Sequence, residues 1–351
     1  MKRLPFATLA VALLLSACAG GAQAPGPSGA SSAAPSASAS KELTVVVHES
    51  FSLPDELKAA FEEQTGYRVT YLTQDASIAL VNQLVLTKDA PLGDAVYGID
   101  NTSSARAVAE GVLADYLSPA LTDPVPGLEP QPGLTPIDFG DVCINADVAW
   151  FEEKGLALPV TLDDLARPEY KDLLVVTSPA SSSPGLAFLA ATIGAKGEGW
   201  VDYWKSLEAN GLKVASGWTE AYYTDFSGAD GKGPRPLVLS YASSPAYTVT
   251  DGATTTTALP ETCFRQVEYA GVLAGAENEA GARAFVDFLA SPEVQSAIPG
   301  DMYMYPALAT AELPEEWAAF APVPAAPIEL SAEELGANRD AWLLQWTDEI
   351  A

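Results

Sequence analysis

The strongest constraint on this chain is a rhythm that begins at Leu43, where short β-branched runs alternate with helical patterns. Residues 43–47 (LTVVV) read as a strand. Ser52-Leu53-Pro54-Asp55 then opens a helix that runs through Phe61 and stops at Gly66. Residues 69–72 read as the next strand, 77–86 as the next helix and 95–99 as a third strand. Parallel neighbours need a covering crossover, and a helix is the usual one, so this alternation predicts an α/β fold with a mainly parallel sheet.

The rhythm breaks in a proline-rich stretch between 113 and 136 and resumes as an extended segment over 137–148. Further strands are predicted at 173–176, 212–215 and 237–241, with helices at 185–193 and 200–208. A β-rich segment over 263–273 has the right place to cross back, and helices over 277–290 and 292–297 would repack on the first lobe. The last helix opens with the capping box Ser331-Ala332-Glu333-Glu334 and carries Leu335, Trp342, Trp346 and Ile350 on one face, as packing residues. The division expected is a first lobe of residues 41–138 and 270–351 and a second lobe of 139–269. Two α/β lobes joined by two crossing segments make a hinged clamshell, with a ligand cleft at the carboxyl ends of strands.

Ahead of the rhythm, residues 1–18 read as a lipoprotein signal peptide. Lys2-Arg3 give a positive start, the apolar run over 7–15 is too short to span a bilayer, and Leu15-Ser16-Ala17-Cys18 looks like a lipobox whose cysteine is lipidated. Residues 19–40 contain only Ala, Gly, Ser, Pro and one Gln, which cannot bury a core and should act as a flexible tether of roughly 25 Å. The protein is therefore expected outside the cytoplasm, anchored to the outer face of the cell membrane. The formal net charge of −28 argues against nucleic acid and anionic lipid surfaces as partners. With Cys18 set aside, Cys143 and Cys263 form an even pair, which an oxidising exterior would join as a disulfide. The single histidine, His48, excludes His-rich metal sites, and no nucleophile elbow accompanies it.

Candidate chemistry collects where strands end. Leu237-Val238-Leu239-Ser240-Tyr241 runs into Ala242-Ser243-Ser244-Pro245-Ala246-Tyr247, and residues 174–176 run into Ser178-Pro179 and then Ser181-Ser182-Ser183-Pro184-Gly185. A serine before a proline-opened helix is ordinary capping chemistry, but two such motifs in one lobe would direct two sets of N–H groups and hydroxyls into one cleft, a complement for an anion. Ser216-Gly217-Trp218-Thr219-Glu220-Ala221-Tyr222 follows another strand, and Tyr241, Tyr247, Tyr303 and Tyr305 lie in similarly irregular places. Aromatic faces attract cations and stack on heteroaromatic rings. Together these predict a cationic heterocycle with a phosphorylatable tail.

These segments carry a resemblance. TVVVHESF, GIDNTSSA, SSSPGLAFL, SGWTEAYY, LVLSYASSPAY and AIPGDMYMYPA occur in the order, and at about the spacing, of the thiamine-binding subunit of bacterial ABC importers, from about Leu43 to Trp346. The resemblance implies a two-lobed periplasmic-binding-protein fold of type II, no cofactor and no catalysis. It implies capture of thiamine, with thiamine phosphate as a further ligand, for a permease and its ATPase, by a receptor expected to be monomeric. Carried over by position, Trp218, Tyr241 and Tyr247 cradle the rings and Ser243 and Ser244 make polar contacts. Asp75, Ala76, Ser182 and Ser183 line the hydroxyethyl or phosphate end. His48, Ala76 and Tyr303 stand where enteric relatives have tyrosine, glycine and tryptophan.

Two rivals share the fold. A ferric-ion receptor could use Tyr222, Tyr223, His48 and Glu49. A thiaminase I-like enzyme could use Cys143 as nucleophile, which a Cys143–Cys263 disulfide would disable.

Overall fold

A computed structural model describes residues 41–350. The signal peptide, Cys18 and the tether lie outside the described residues. The main path of the sheet runs through eight strands: β1 Glu42–His48, β2 Arg68–Gln74, β3 Ala95–Asp100, β4 Thr135–Asp147, β5 Leu174–Thr177, β6 Lys213–Ala215, β7 Leu237–Tyr241 and β8 Phe264–Val272. Their spatial order is β2-β1-β3-β8-β4-β7-β5-β6. The outer strands are parallel, β1 with β2 and β3, and β5 with β6 and β7. At the centre β8 pairs antiparallel with both β3 and β4, and β4 pairs antiparallel with β7. The expectation of a mainly parallel sheet is corrected to a mixed one, because the two crossing segments are themselves its longest central strands.

The first wing shows why its strands read as unbroken apolar runs. Val45 and Val47 face one cluster with Phe61 of α1 (Asp55–Thr65) and with Phe285 and Leu289 of a helix over Glu279–Leu289. Val46 faces the opposite cluster with Leu80 and Leu84 of α2 (Ser77–Leu86). Successive side chains point to opposite faces, so a strand covered on both sides must be apolar at every position. The second wing packs on α3 (Ser183–Lys196) and α4 (Trp200–Ala209), with Phe188 and Trp204 wholly buried. The last helix, α5 (Ala332–Glu349), opens with the predicted capping box. Its Leu335 and Trp346 join the second wing's core, Trp346 standing edge-on to Trp204 at 5.5 Å.

The central pair is pinned twice. Arg265 of β8 donates from Nε and Nη2 to Asp141 of β4 at 3.0 and 2.9 Å, a bidentate pair across a registered position. Two residues along, Cys143 is joined to Cys263 in a disulfide. With the sulfur so bonded, Cys143 presents no thiolate nucleophile.

Candidate functional site

The carboxyl ends of strands from both wings converge on one cavity of about 450 Å³, within the ~300–1,000 Å³ range that encloses a small organic ligand. β1 delivers His48, and the turn after β2 delivers Asp75 and Ala76 ahead of α2. From the second wing, β5 leads into Ser182 and Ser183, the β6 end into Trp218, and β7 into Tyr241, Ser243, Ser244 and Tyr247. Tyr303 enters between a helix over Pro292–Asp301 and a short strand over Tyr305–Pro306. All eleven positions expected from the sequence line this cavity.

Close approach is secured by glycine in two places. A Cβ on Gly98, whose φ is +98°, would fall 2.0 Å from the His48 ring, so β3 can pass beneath the imidazole only as glycine. A Cβ on Gly185 would fall 2.5 Å from the Thr177 carbonyl oxygen, so α3 can start directly against the end of β5 only with glycine there.

The ring wall is held from behind. Trp218 stacks on Tyr222 with centroids 4.9 Å apart and planes 16° apart, and its indole N–H donates to Ser240 Oγ at 2.9 Å. Ser240 Oγ lies 2.7 Å from Ser244 Oγ, so Ser244 braces the indole. Across the cavity mouth Tyr247 meets Tyr303 edge-on at 5.5 Å, while its hydroxyl donates to Asp230 at 3.2 Å. Tyr303 adopts a φ of +55° and stacks on Trp317 at 6.2 Å. A non-glycine residue in left-handed backbone carries strain, which here is set against that packing.

The expectation of two helix starts that cradle an anion is corrected. Ser182 does precede a full helix, but its hydroxyl donates to Thr177 Oγ1 at 2.9 Å. The second start is one turn, Ser244–Tyr247, too short to build a useful dipole. Among the described residues no lysine or arginine lines the cavity, whereas Glu49, Asp75, Glu268 and Asp301 do. That charge favours a cation.

Sequence reasoning misses Gln266 and Glu268 as site residues, although two polar side chains at alternate positions of the 263–273 crossing segment are a usable signal. Glu268 is the hub of the cavity floor. Its Oε2 lies 3.2 Å from His48 Nε2 and accepts from the Tyr97 hydroxyl at 2.9 Å, and its Oε1 accepts from Gln266 Nε2 at 3.2 Å. Burial would raise its pKa, yet the His48 charge and these donors hold it below the ordinary carboxylate value. Burial alone would lower the His48 imidazole, and the Glu268 carboxylate raises it above its ordinary value. Asp138, on the far side of the Tyr97 hydroxyl, is pushed well up by burial and by the Glu268 charge. The floor therefore favours the charged forms of His48 and Glu268 and the protonated form of Asp138.

A two-winged mixed sheet with a cleft at its strand ends is an arrangement that can enclose a small solute. The profile of the bacterial extracellular solute-binding protein family matches residues 94–326, and the chain belongs to that family. It is 30% identical over 322 residues to the thiamine-binding periplasmic protein of Brucella melitensis, covering 89% of this chain and 93% of that one. Among solved structures, a periplasmic thiamin binding protein superposes with a TM-score of 0.78 at 28% identity, over 88% of this chain and 96% of that one. The apo ferric ion-binding protein A of Pasteurella haemolytica superposes at 0.69 with 17% identity, over 88% and 98%, a likeness of fold alone.

Proposed function

We propose that this chain captures thiamine in the cavity and delivers it to a membrane permease and its ATPase as the receptor of an ABC importer. The observation that carries the proposal is the pairing of a stacked aromatic wall at Trp218 and Tyr222 with a lining that bears carboxylates and no lysine or arginine among the described residues. A positively charged thiazolium ring gains from both, through cation–π attraction and through the negative field. In this proposal Trp218, Tyr241, Tyr247 and Tyr303 contact the rings, with Ser243, Ser244 and His48 at their edges. Asp75, Ala76, Ser182 and Ser183 face the hydroxyethyl tail. A phosphate on that tail would meet the donors at the start of α3 but also the Asp75 carboxylate, so thiamine monophosphate is a ligand the lining favours less than thiamine.

The receptor works as a monomer whose lobes, 41–138 with 270–351 less the α5 that packs in the second wing's core, and 139–269, close on the ligand without catalysis. Residues 1–18 direct export, Cys18 carries the lipid and 19–40 is the tether. Among the described residues no helix is long and apolar enough to cross a membrane. Calorimetric titration with thiamine, thiamine monophosphate and ferric citrate tests the ligand. One site per chain for thiamine is expected, and saturable ferric binding with no thiamine heat would replace the proposal with the iron receptor.

A further inference from the structure

The cavity floor contains a wholly buried amide whose orientation is fixed by its neighbours. Gln266 Nε2 donates to Glu268 Oε1 at 3.2 Å, and Glu268 Oε2 is engaged by His48 and Tyr97. An ionised carboxylate only accepts, so turning the amide over would set two acceptor oxygens against each other. The Glu268 carboxylate therefore locks the Gln266 amide, and Oε1 is turned away from it. Among the described residues that oxygen has no hydrogen-bond partner, although Gln266 is 0% exposed and lines the cavity. A buried acceptor without a donor is costly, and a ligand that supplies an N–H removes that cost.

Resting on the thiamine reading above, we infer that Gln266 Oε1 accepts a hydrogen bond from the exocyclic amine of the ligand's aminopyrimidine ring and is the residue that selects for that amine. The thiazolium ring offers no N–H, and the hydroxyethyl tail is a flexible single donor. The aminopyrimidine is flat and presents its N–H at a fixed angle, which suits an acceptor that cannot rotate. Tyr241, also lining the cavity, supplies an aromatic surface near the floor for such a ring. The negative field of Glu268 further favours an N–H, with its positive hydrogen, over a carbonyl in the same place. Selectivity of this kind can be large, because the wrong ligand leaves a buried polar atom unpaired or repelled.

The test compares thiamine with oxythiamine, which carries a carbonyl oxygen in place of the amine and so sets acceptor against acceptor. Titration calorimetry of the wild type should give thiamine on the order of 10- to 100-fold tighter than oxythiamine. In Gln266→Leu the ratio should fall to within about threefold, through loss of thiamine affinity with oxythiamine little changed, whereas a general disturbance of the cavity would weaken both alike. Wild type binding the two ligands equally overturns the inference, whether or not the variant folds. So does a folded variant that keeps the wild-type ratio. Wild type that binds neither ligand overturns the thiamine proposal itself and this inference with it.

Discussion

Replacing Trp218 with alanine should weaken thiamine binding by about 1–3 kcal/mol, the range for losing one stacked and partly desolvated ring against a cation. One face of the indole is taken by Tyr222 at 4.9 Å and Tyr223 packs perpendicular to it at 5.5 Å, so the ligand stacks on the surface these two leave open, and the N–H is spent on Ser240. At about 1.4 kcal/mol per factor of ten, the loss corresponds to roughly 5- to 150-fold in Kd. Trp218→Phe would keep a ring on Tyr222 but give up the bond to Ser240 Oγ, for about 0.5–1.5 kcal/mol. Because Trp218 is only half-buried, neither change should unfold the protein. Calorimetry on the three proteins, with thiamine-dependent quenching of tryptophan emission as a second readout, gives the comparison. Equal affinities in wild type and Trp218→Ala would refute the stacking role and the ring wall with it.

Cleaving the Cys143–Cys263 disulfide releases a loop spanning 120 positions, so Cys143→Ser with Cys263→Ser should lose up to about 4–5 kcal/mol in urea unfolding; an unchanged midpoint would contradict it. The His48–Glu268 pair should make stability pH-dependent. The folded imidazole lies above its ordinary value of 6.5, under the influence of Glu268, Asp100 and Glu49, so its contribution is full below that value and fades as pH rises through the higher folded one. His48→Gln should flatten this slope in unfolding curves taken from pH 6 to 9, and an identical slope in the variant would contradict the pairing. Asp75→Asn should raise the affinity for thiamine monophosphate relative to thiamine, by about 0.5–1 kcal/mol for one screened charge removed from the tail end; a ratio that does not move would take Asp75 away from the phosphate.

Much of this site was legible in the chain because local chemistry decides where strands end. The helix at Ser77–Leu86 and the strand at Leu237–Tyr241 have the bounds their patterns predict, and the Ser331 capping box closes as read. Residues just past a strand end then fall at the cleft, as Trp218 does after β6 and Ser243 after β7. Features that depend on partners distant in sequence were not legible. β4 and β8 show no local sign that they pair with each other as the antiparallel centre of the sheet. The alternate polar pair Gln266 and Glu268 marks one face of β8, but that this face is a cavity floor follows only once β8 is placed between β3 and β4. The second Ser-Ser-Pro turn reads like the first, but its helix ends after one turn, and its Ser244 hydroxyl is drawn to Ser240.

Selection of an organic cation by the cleft can be read in one experiment, native mass spectrometry of the mature chain mixed with equimolar thiamine and ferric citrate. A single thiamine adduct per chain is expected, lost in Trp218→Ala at the same concentration. A ferric adduct in place of thiamine, or a thiamine adduct equally abundant in wild type and variant, would contradict that selection.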